Sequence, residues 1–259
     1  MLAAADWVAA GRDELNRINV FPVPDGDTGT NMCLTLRAVA QALRDLGVRD
    51  APLLLPHVAE TMAQASVRGA RGNSGMLLSQ FLLGFREGIG ERLRAGDADI
   101  AHAIRVGFER LQTSLDEPME GTILTVVREA ADEAGSARGE RDLRVFMGRL
   151  VRRAEAALQR TPELLAVLKT AGVVDAGAKG FVRLLDGVKR LIDEGQVAAG
   201  AVGHSRVRGD VARGARGALP TNAVSGESGH ARHRGPCRHR RVGSVLSGGR
   251  RNKRMTRAL

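Results

Sequence analysis

Residues 19–32 read NVFPVPDGDTGTNM, and this stretch decides how the chain folds and what it can hold. Prolines at 22 and 24 keep the leading segment extended. Asp25 and Asp27 then sit one glycine apart, and Thr28, Gly29, Thr30 and Asn31 follow directly, where an amphipathic helical pattern begins. Hard divalent cations take oxygen ligands, and phosphates favour the free N–H groups of a helix N-terminus. One short turn can therefore hold a metal together with the phosphates it bridges. That is the layout of a Mg–nucleotide site.

Outward from this turn the chain reads as helix after helix. Leu2–Ile18 precedes it, rich in Ala, Leu and charged residues. Asn31–Leu46 follows, with Met32, Leu36, Val39 and Leu43 at helical spacing. Pro52 opens a segment to about Val67, and Ser74–Ile89, Ala98–Leu115, Ile123–Ala134 and Leu143–Gln159 continue the series. Thr161-Pro162-Glu163 supplies a further helix start, with Thr161 as N-cap and Pro162 in the first turn. Lys179–Glu194 closes the series. No period-2 strand stands out. The prediction is an all-α domain over residues 1–200, an antiparallel barrel or bundle of about eight helices with short connections.

Three further glycine-bearing loops lie where helical segments begin: Gly69–Gly75 with Asn73 and Ser74, Glu120-Gly121-Thr122, and Val174–Gly180 with Asp175, Ala176 and Gly177. If the helices run up and down, loops at one end converge despite their separation in sequence. Their N-termini then add partial positive charge toward a polyphosphate. Alone, each piece reads as an ordinary turn or cap. Their joint occurrence in this order carries the argument.

The charge is uneven. Residues 1–201 carry 25 Lys+Arg and 27 Asp+Glu, whereas 202–259 carry 14 and 2, so the overall +10 belongs to the tail. That tail has ten glycines, thirteen arginines and no Phe, Trp or Tyr, a composition too poor in apolar surface to fold. Three readings stay open for 201–259: an arm binding nucleic acid or acidic lipid, a disordered end without a role, or the out-of-frame translation of a GC-rich gene. Cys33 and Cys237 form no metal spacing or disulfide framework, which fits a reducing cytoplasm. No apolar run is long enough to span a membrane, and no secretory leader is indicated. The expected location is cytoplasmic.

NVFPVPDGDTGTNM, followed by RGARGNSG, EGTILTV and VVDAGAKGF, resembles the dihydroxyacetone-kinase L-domain superfamily. Within it, residues 2–195 look most like the N-terminal nucleotide-binding domain of bacterial fatty acid kinase catalytic subunits. The resemblance implies a barrel of roughly eight antiparallel helices with ATP and Mg²⁺, two ions of it, at one end. By position, Asp25 and Asp27 match the metal-binding aspartates, and Thr28 to Asn31 match the phosphate-contacting turn. Asn73, Ser74, Gly121, Thr122 and Asp175 to Gly177 fall in the other nucleotide loops. The sugar-kinase branch has a third aspartate where this chain has Val20, and Asn19 is the candidate substitute ligand.

The implied activity is phosphoryl transfer from Mg-ATP to a fatty acid carboxylate presented by a separate fatty-acid-binding protein. An ionised carboxylate needs no general base, so none is assigned; His57 and His102 lie outside every motif. Later domains of such kinases help dock the carrier, and the resemblance stops near residue 200. The expectation is therefore nucleotide binding with weak transfer or none. A homodimer is left open. The rivals are a dihydroxyacetone (glycerone) kinase L subunit, a nucleic-acid-binding protein acting through the tail, and a nucleotide-binding regulatory domain without turnover.

Overall fold

The computed structural model describes residues 1–47 and 54–202, which hold ten helical segments and no strand. They are α1 (Leu2–Ala10), α2 (Arg12–Arg17), α3 (Thr28–Gly47), α4 (Leu55–Gly69), α5 (Gly72–Ile89), α6 (Asp97–Thr113), α7 (Ile123–Ser136), α8 (Leu143–Leu164), α9 (Ala166–Ala171) and α10 (Ala176–Val202). Eight are substantial and two, α2 and α9, have six residues each. Each substantial helix packs on the next in the order α1, α3, α4, α5, α6, α7, α8, α10, and α10 returns to α1. The ring closes. The basic tail lies outside the described residues, as does Pro52.

The ring surrounds an apolar core. Leu15, Met32, Leu36, Leu78, Leu111, Phe146, Leu150 and Phe181 are fully buried, each contributing roughly 1.5–3 kcal/mol of burial. Phe81 of α5 meets Phe181 of α10 edge-on at 5.1 Å, joining helices on opposite sides of the ring. Outside, the buried Glu129 of α7 holds Arg153 and Arg160 of α8 at 3.0 and 2.6 Å, fixing that pair of neighbours.

The boundaries differ from the sequence reading in three instructive places. Leu2–Ile18 is interrupted at Gly11, where α1 ends and α2 begins; the Arg183 side chain of α10 occupies the space a Cβ would fill there. The Gly69–Gly75 loop shrinks to Ala70-Arg71, so Asn73 and Ser74 belong to the first turn of α5. Thr161-Pro162 is no helix start but lies in the last turn of α8. The missing Pro162 N–H would leave the Leu158 carbonyl open, and the Thr161 hydroxyl donates to it at 2.7 Å. Thr161, read as a cap, thus repairs a helix end.

Candidate nucleotide and metal site

Two cavities lie side by side where α3, α5, α7 and α10 begin. Because these are alternate members of the ring, all four N-termini point to one end. The first cavity, about 210 Å³, is lined by Asn19, Asp25, Asp27, Thr28, Asn31, Asn73 and Ser74, with Pro22 and Val23 beside them. The second, about 320 Å³, shares Pro22, Thr28, Asn73 and Ser74 with the first. It adds Thr122, Asp175 and Gly177 and an apolar wall of Phe21, Met76, Leu77, Leu115, Met119 and Ile123. One side is acidic and the other apolar.

The Asp25-Gly26-Asp27 turn owes its shape to two devices. Gly26 takes φ +68°, a left-handed conformation that costs glycine little. Asn19, 5 % exposed, holds the loop from inside. Its Oδ1 accepts from the Asp27 N–H (3.2 Å), the Thr28 N–H (3.0 Å) and the Thr28 hydroxyl (2.8 Å). Its Nδ2 donates to the Val23 carbonyl at 3.1 Å. An amide oxygen has two lone pairs, and here three donors already share them. A cation at Asn19 would have to displace those donors, and in this geometry Asn19 organises the turn.

Saturation of donors extends along α3. Asn16 of α2 accepts the Thr30 N–H on Oδ1 at 3.0 Å and donates from Nδ2 to the Thr30 hydroxyl at 3.0 Å. The Asn31 N–H bonds the Asp27 carbonyl at 2.8 Å. Gly29 faces α2, not the cavity: a Cβ there would collide with the Arg12 carbonyl and Asn16 Oδ1. Neither Gly29 nor Thr30 lines a cavity, whereas Thr28 and Asn31 do.

The other three helix starts differ from one another. At α7 the Thr122 hydroxyl accepts from the Leu124 N–H at 3.3 Å. Gly121 is buried behind it, its N–H donating to the Thr125 hydroxyl at 2.8 Å, and lies off both cavity walls. At α10, Asp175 Oδ1 accepts from the Ala178 N–H at 3.0 Å, and the Asp175 N–H donates to the Thr161 hydroxyl. Burial pushes the Asp175 carboxyl up to about 6, against the opposing pull of the N–H groups of Ala178, Gly177 and Ile123. Ala176 is buried beside it without lining a cavity. At α5 no side chain caps the N-terminus, leaving the N–H groups of Gly72, Asn73 and Ser74 without a protein acceptor among the described residues. The Ser74 hydroxyl reaches the Thr28 hydroxyl at 3.4 Å, tying α5 to α3.

No group of three or more His, Cys, Asp or Glu side chains suited to a metal occurs among the described residues. Asp25 and Asp27 nonetheless fit Mg²⁺, which commonly takes one or two protein carboxylates and completes its shell with water and substrate phosphates. Among the described residues, neither cavity wall contains Lys or Arg. Lys179 is paired with Glu14 of α2, and Arg71 donates to the Ala70 carbonyl. His57 and His102 lie away from both cavities. The Phe21, Leu115, Glu117 and Met119 walls escaped the sequence reading, because connections between helices carry no periodicity that points them inward.

Residues 22–190 match the DAK2 domain. The chain belongs to this family. Over 188 residues this DAK2 domain is 39% identical to Protein YloV of Bacillus subtilis, covering 72% of this chain and 33% of YloV. An uncharacterized Staphylococcus aureus protein is 34% identical over 200 residues, covering 77% of this chain and 36% of that protein. The chain thus spans about a third of the length of these curated relatives. Among solved structures, the dihydroxyacetone kinase of C. freundii superposes with TM-score 0.56 at 17% identity in its native form. Its complex with AMP-PNP and Mg²⁺ gives TM-score 0.56 at 18% identity. The two cover 73% of this chain and 33% and 32% of the kinase. Likeness at that identity speaks to the fold alone. No described helix of the DAK2 domain is long and apolar enough to cross a membrane.

Proposed function

We propose that this DAK2 domain binds Mg-ATP across the two cavities and transfers the terminal phosphoryl group, with a fatty acid carboxylate on a separate binding protein as acceptor. The observation that carries the reading is the convergence of four helix starts and one carboxylate pair on joined cavities. Bound Mg²⁺ would supply charge neutralisation for a transferring phosphoryl group. Asp25 and Asp27 would hold it. The bare first turn of α5 faces the same cavity and offers N–H groups to phosphate oxygens. The apolar wall of Phe21, Leu77 and Ile123 suits a purine face, with the Asp175 carboxyl as a polar group at its edge.

Among the described residues the walls carry no Lys or Arg, and a polyphosphate needs a cation to offset its charge there, which supports metal dependence. No histidine lines the same walls among the described residues, which suits an acceptor that is already ionised. The sequence NVFPVP and RGNSG supports the fatty acid acceptor over dihydroxyacetone. The fold likeness to dihydroxyacetone kinase keeps the second acceptor as the rival reading.

Calorimetry of the 259-residue protein with ATP should give saturable heats in Mg²⁺ that disappear with a chelator. Single-turnover assays should then trap acyl phosphate, slowly and in low yield, from fatty acid on its carrier, and no phosphorylated dihydroxyacetone in the presence of a substrate-binding subunit. Product from dihydroxyacetone alone would overturn the acceptor assignment, and no nucleotide binding would overturn the whole reading.

A further inference from the structure

The six-residue helix α2 touches neither cavity, yet it is gripped from both sides. Glu14 accepts from Lys179 of α10 at 2.5 Å and lies 3.6 Å from Arg183. The Lys179 ammonium, first among its partners, holds the Glu14 carboxyl below the usual range. Leu15 is fully buried between them. Asn16 makes two hydrogen bonds to Thr30, both 3.0 Å, across fourteen residues of chain. The missing side chain of Gly29 is what lets α2 approach this closely.

Thr30 is in the first turn of α3. The same turn carries the Asn31 N–H bond to the Asp27 carbonyl and the Thr28 contacts to Asn19. A displacement of Thr30 therefore moves the backbone that carries Asp27. Loop carboxylates stay productive only when held to about half an ångström by the groups behind them.

We propose that Asn16 is a positioning residue: its amide, braced through α2 against α10, sets where the Asp25/Asp27 turn stands relative to the first turn of α5. The inference rests on the Mg-nucleotide reading above, and it assigns Asn16 no contact with metal, nucleotide or acceptor. It also gives Gly29 and Thr30 a different part from their neighbours. Thr30 is the point where α2 takes hold, and Gly29 is the clearance that permits it.

The test uses the full chain and three variants, Asn16→Ala, Asn16→Asp and Thr30→Val. For each, the Mg²⁺ concentration giving half-maximal binding of a non-hydrolysable ATP analogue is measured well below the melting temperature. Asn16→Ala should raise that Mg²⁺ midpoint about tenfold, as expected from a misplaced charged ligand. Asn16→Asp keeps the acceptor for the Thr30 N–H and should recover part of the loss. Thr30→Val keeps the backbone bond and should cost about threefold. A residue that merely stabilised the fold would lower the melting temperature and leave the Mg²⁺ midpoint of the folded protein unchanged. An unchanged midpoint in Asn16→Ala overturns the inference while the binding reading stands. If that variant does not fold, unchanged midpoints in both other variants overturn it equally. Wild-type protein that binds no nucleotide at any Mg²⁺ concentration overturns both.

Discussion

The starts of α3 and α5 face one cavity and are built in opposite ways. At α3, side chains from two other parts of the chain, Asn16 and Asn19, consume the N–H groups of Thr28 and Thr30 before any ligand arrives. At α5 no side chain caps the helix, and the amides of Gly72, Asn73 and Ser74 have no protein acceptor among the described residues. Unsatisfied helix donors are costly unless water or a ligand takes them. The contrast teaches that the two starts have different tasks. A saturated, braced turn suits carboxylates that must keep their place around a cation. A bare turn suits an anion that comes and goes.

The comparison breaks most easily at Asn19. Removing its amide in Asn19→Ala leaves the Asp27 and Thr28 donors unpaired in a buried site, at a cost of about 2–4 kcal/mol. Chemical denaturation should show the loss, and Mg²⁺-dependent nucleotide binding should fall with it even where the protein is folded.

Asp175 tests a third start, that of α10. Its folded value of about 6 lies above the ordinary aspartate value of 3.8, so the native state holds the proton more tightly than the unfolded chain. The associated stability is complete below the unfolded value and is lost as pH rises through about 6. A rise of roughly two pH units corresponds to about 3 kcal/mol as an upper bound. Wild-type stability should fall across pH 4–6 by an amount that Asp175→Asn does not show, as read from urea midpoints. Equal slopes would remove the buried carboxyl from the account.

Arg71→Asp sharpens the contrast by making α5 resemble α3. A carboxylate at the N-cap position would accept the free amides and stabilise the helix by about 1 kcal/mol. Thermal stability should therefore rise while nucleotide affinity falls by about tenfold. Affinity that rises or holds would mean that the bare turn does not receive the phosphate. The smallest effect belongs far from the site. Arg105→Ala removes a half-exposed ion pair with Asp132 at 2.5 Å and should cost under about 1 kcal/mol, without moving nucleotide binding.

The helical fold was legible because apolar spacing persists across long segments, as in Met32, Leu36 and Val39, all buried as their period requires. The end of the ring that holds the cavities was legible for a related reason, since the glycines at 26, 72, 121 and 177 all lie at or just before helix starts. Tertiary context supplied the rest. Nothing near Gly11 announces that Arg183, over 170 positions away, will fill the space beside it where the first helix ends. Pro162 signals a boundary correctly, but its side of the boundary depends on the Thr161 hydroxyl repairing the Leu158 carbonyl. The contacts of Gly29 and Thr30 with α2 were hidden for the same reason. Their spacing is that of a phosphate turn, and only the packing of α2 reveals what occupies them.

The account's central claim is that Asp25 and Asp27 hold the cation through which nucleotide binds. Calorimetric titration of ATP into the Asp25→Ala/Asp27→Ala protein, with Mg²⁺ in excess, tests it most directly. Affinity should fall by about a hundredfold or more while the fold is kept, because no Lys or Arg among the described residues of the walls can replace the lost cation. Undiminished, Mg²⁺-dependent uptake by that variant would contradict it.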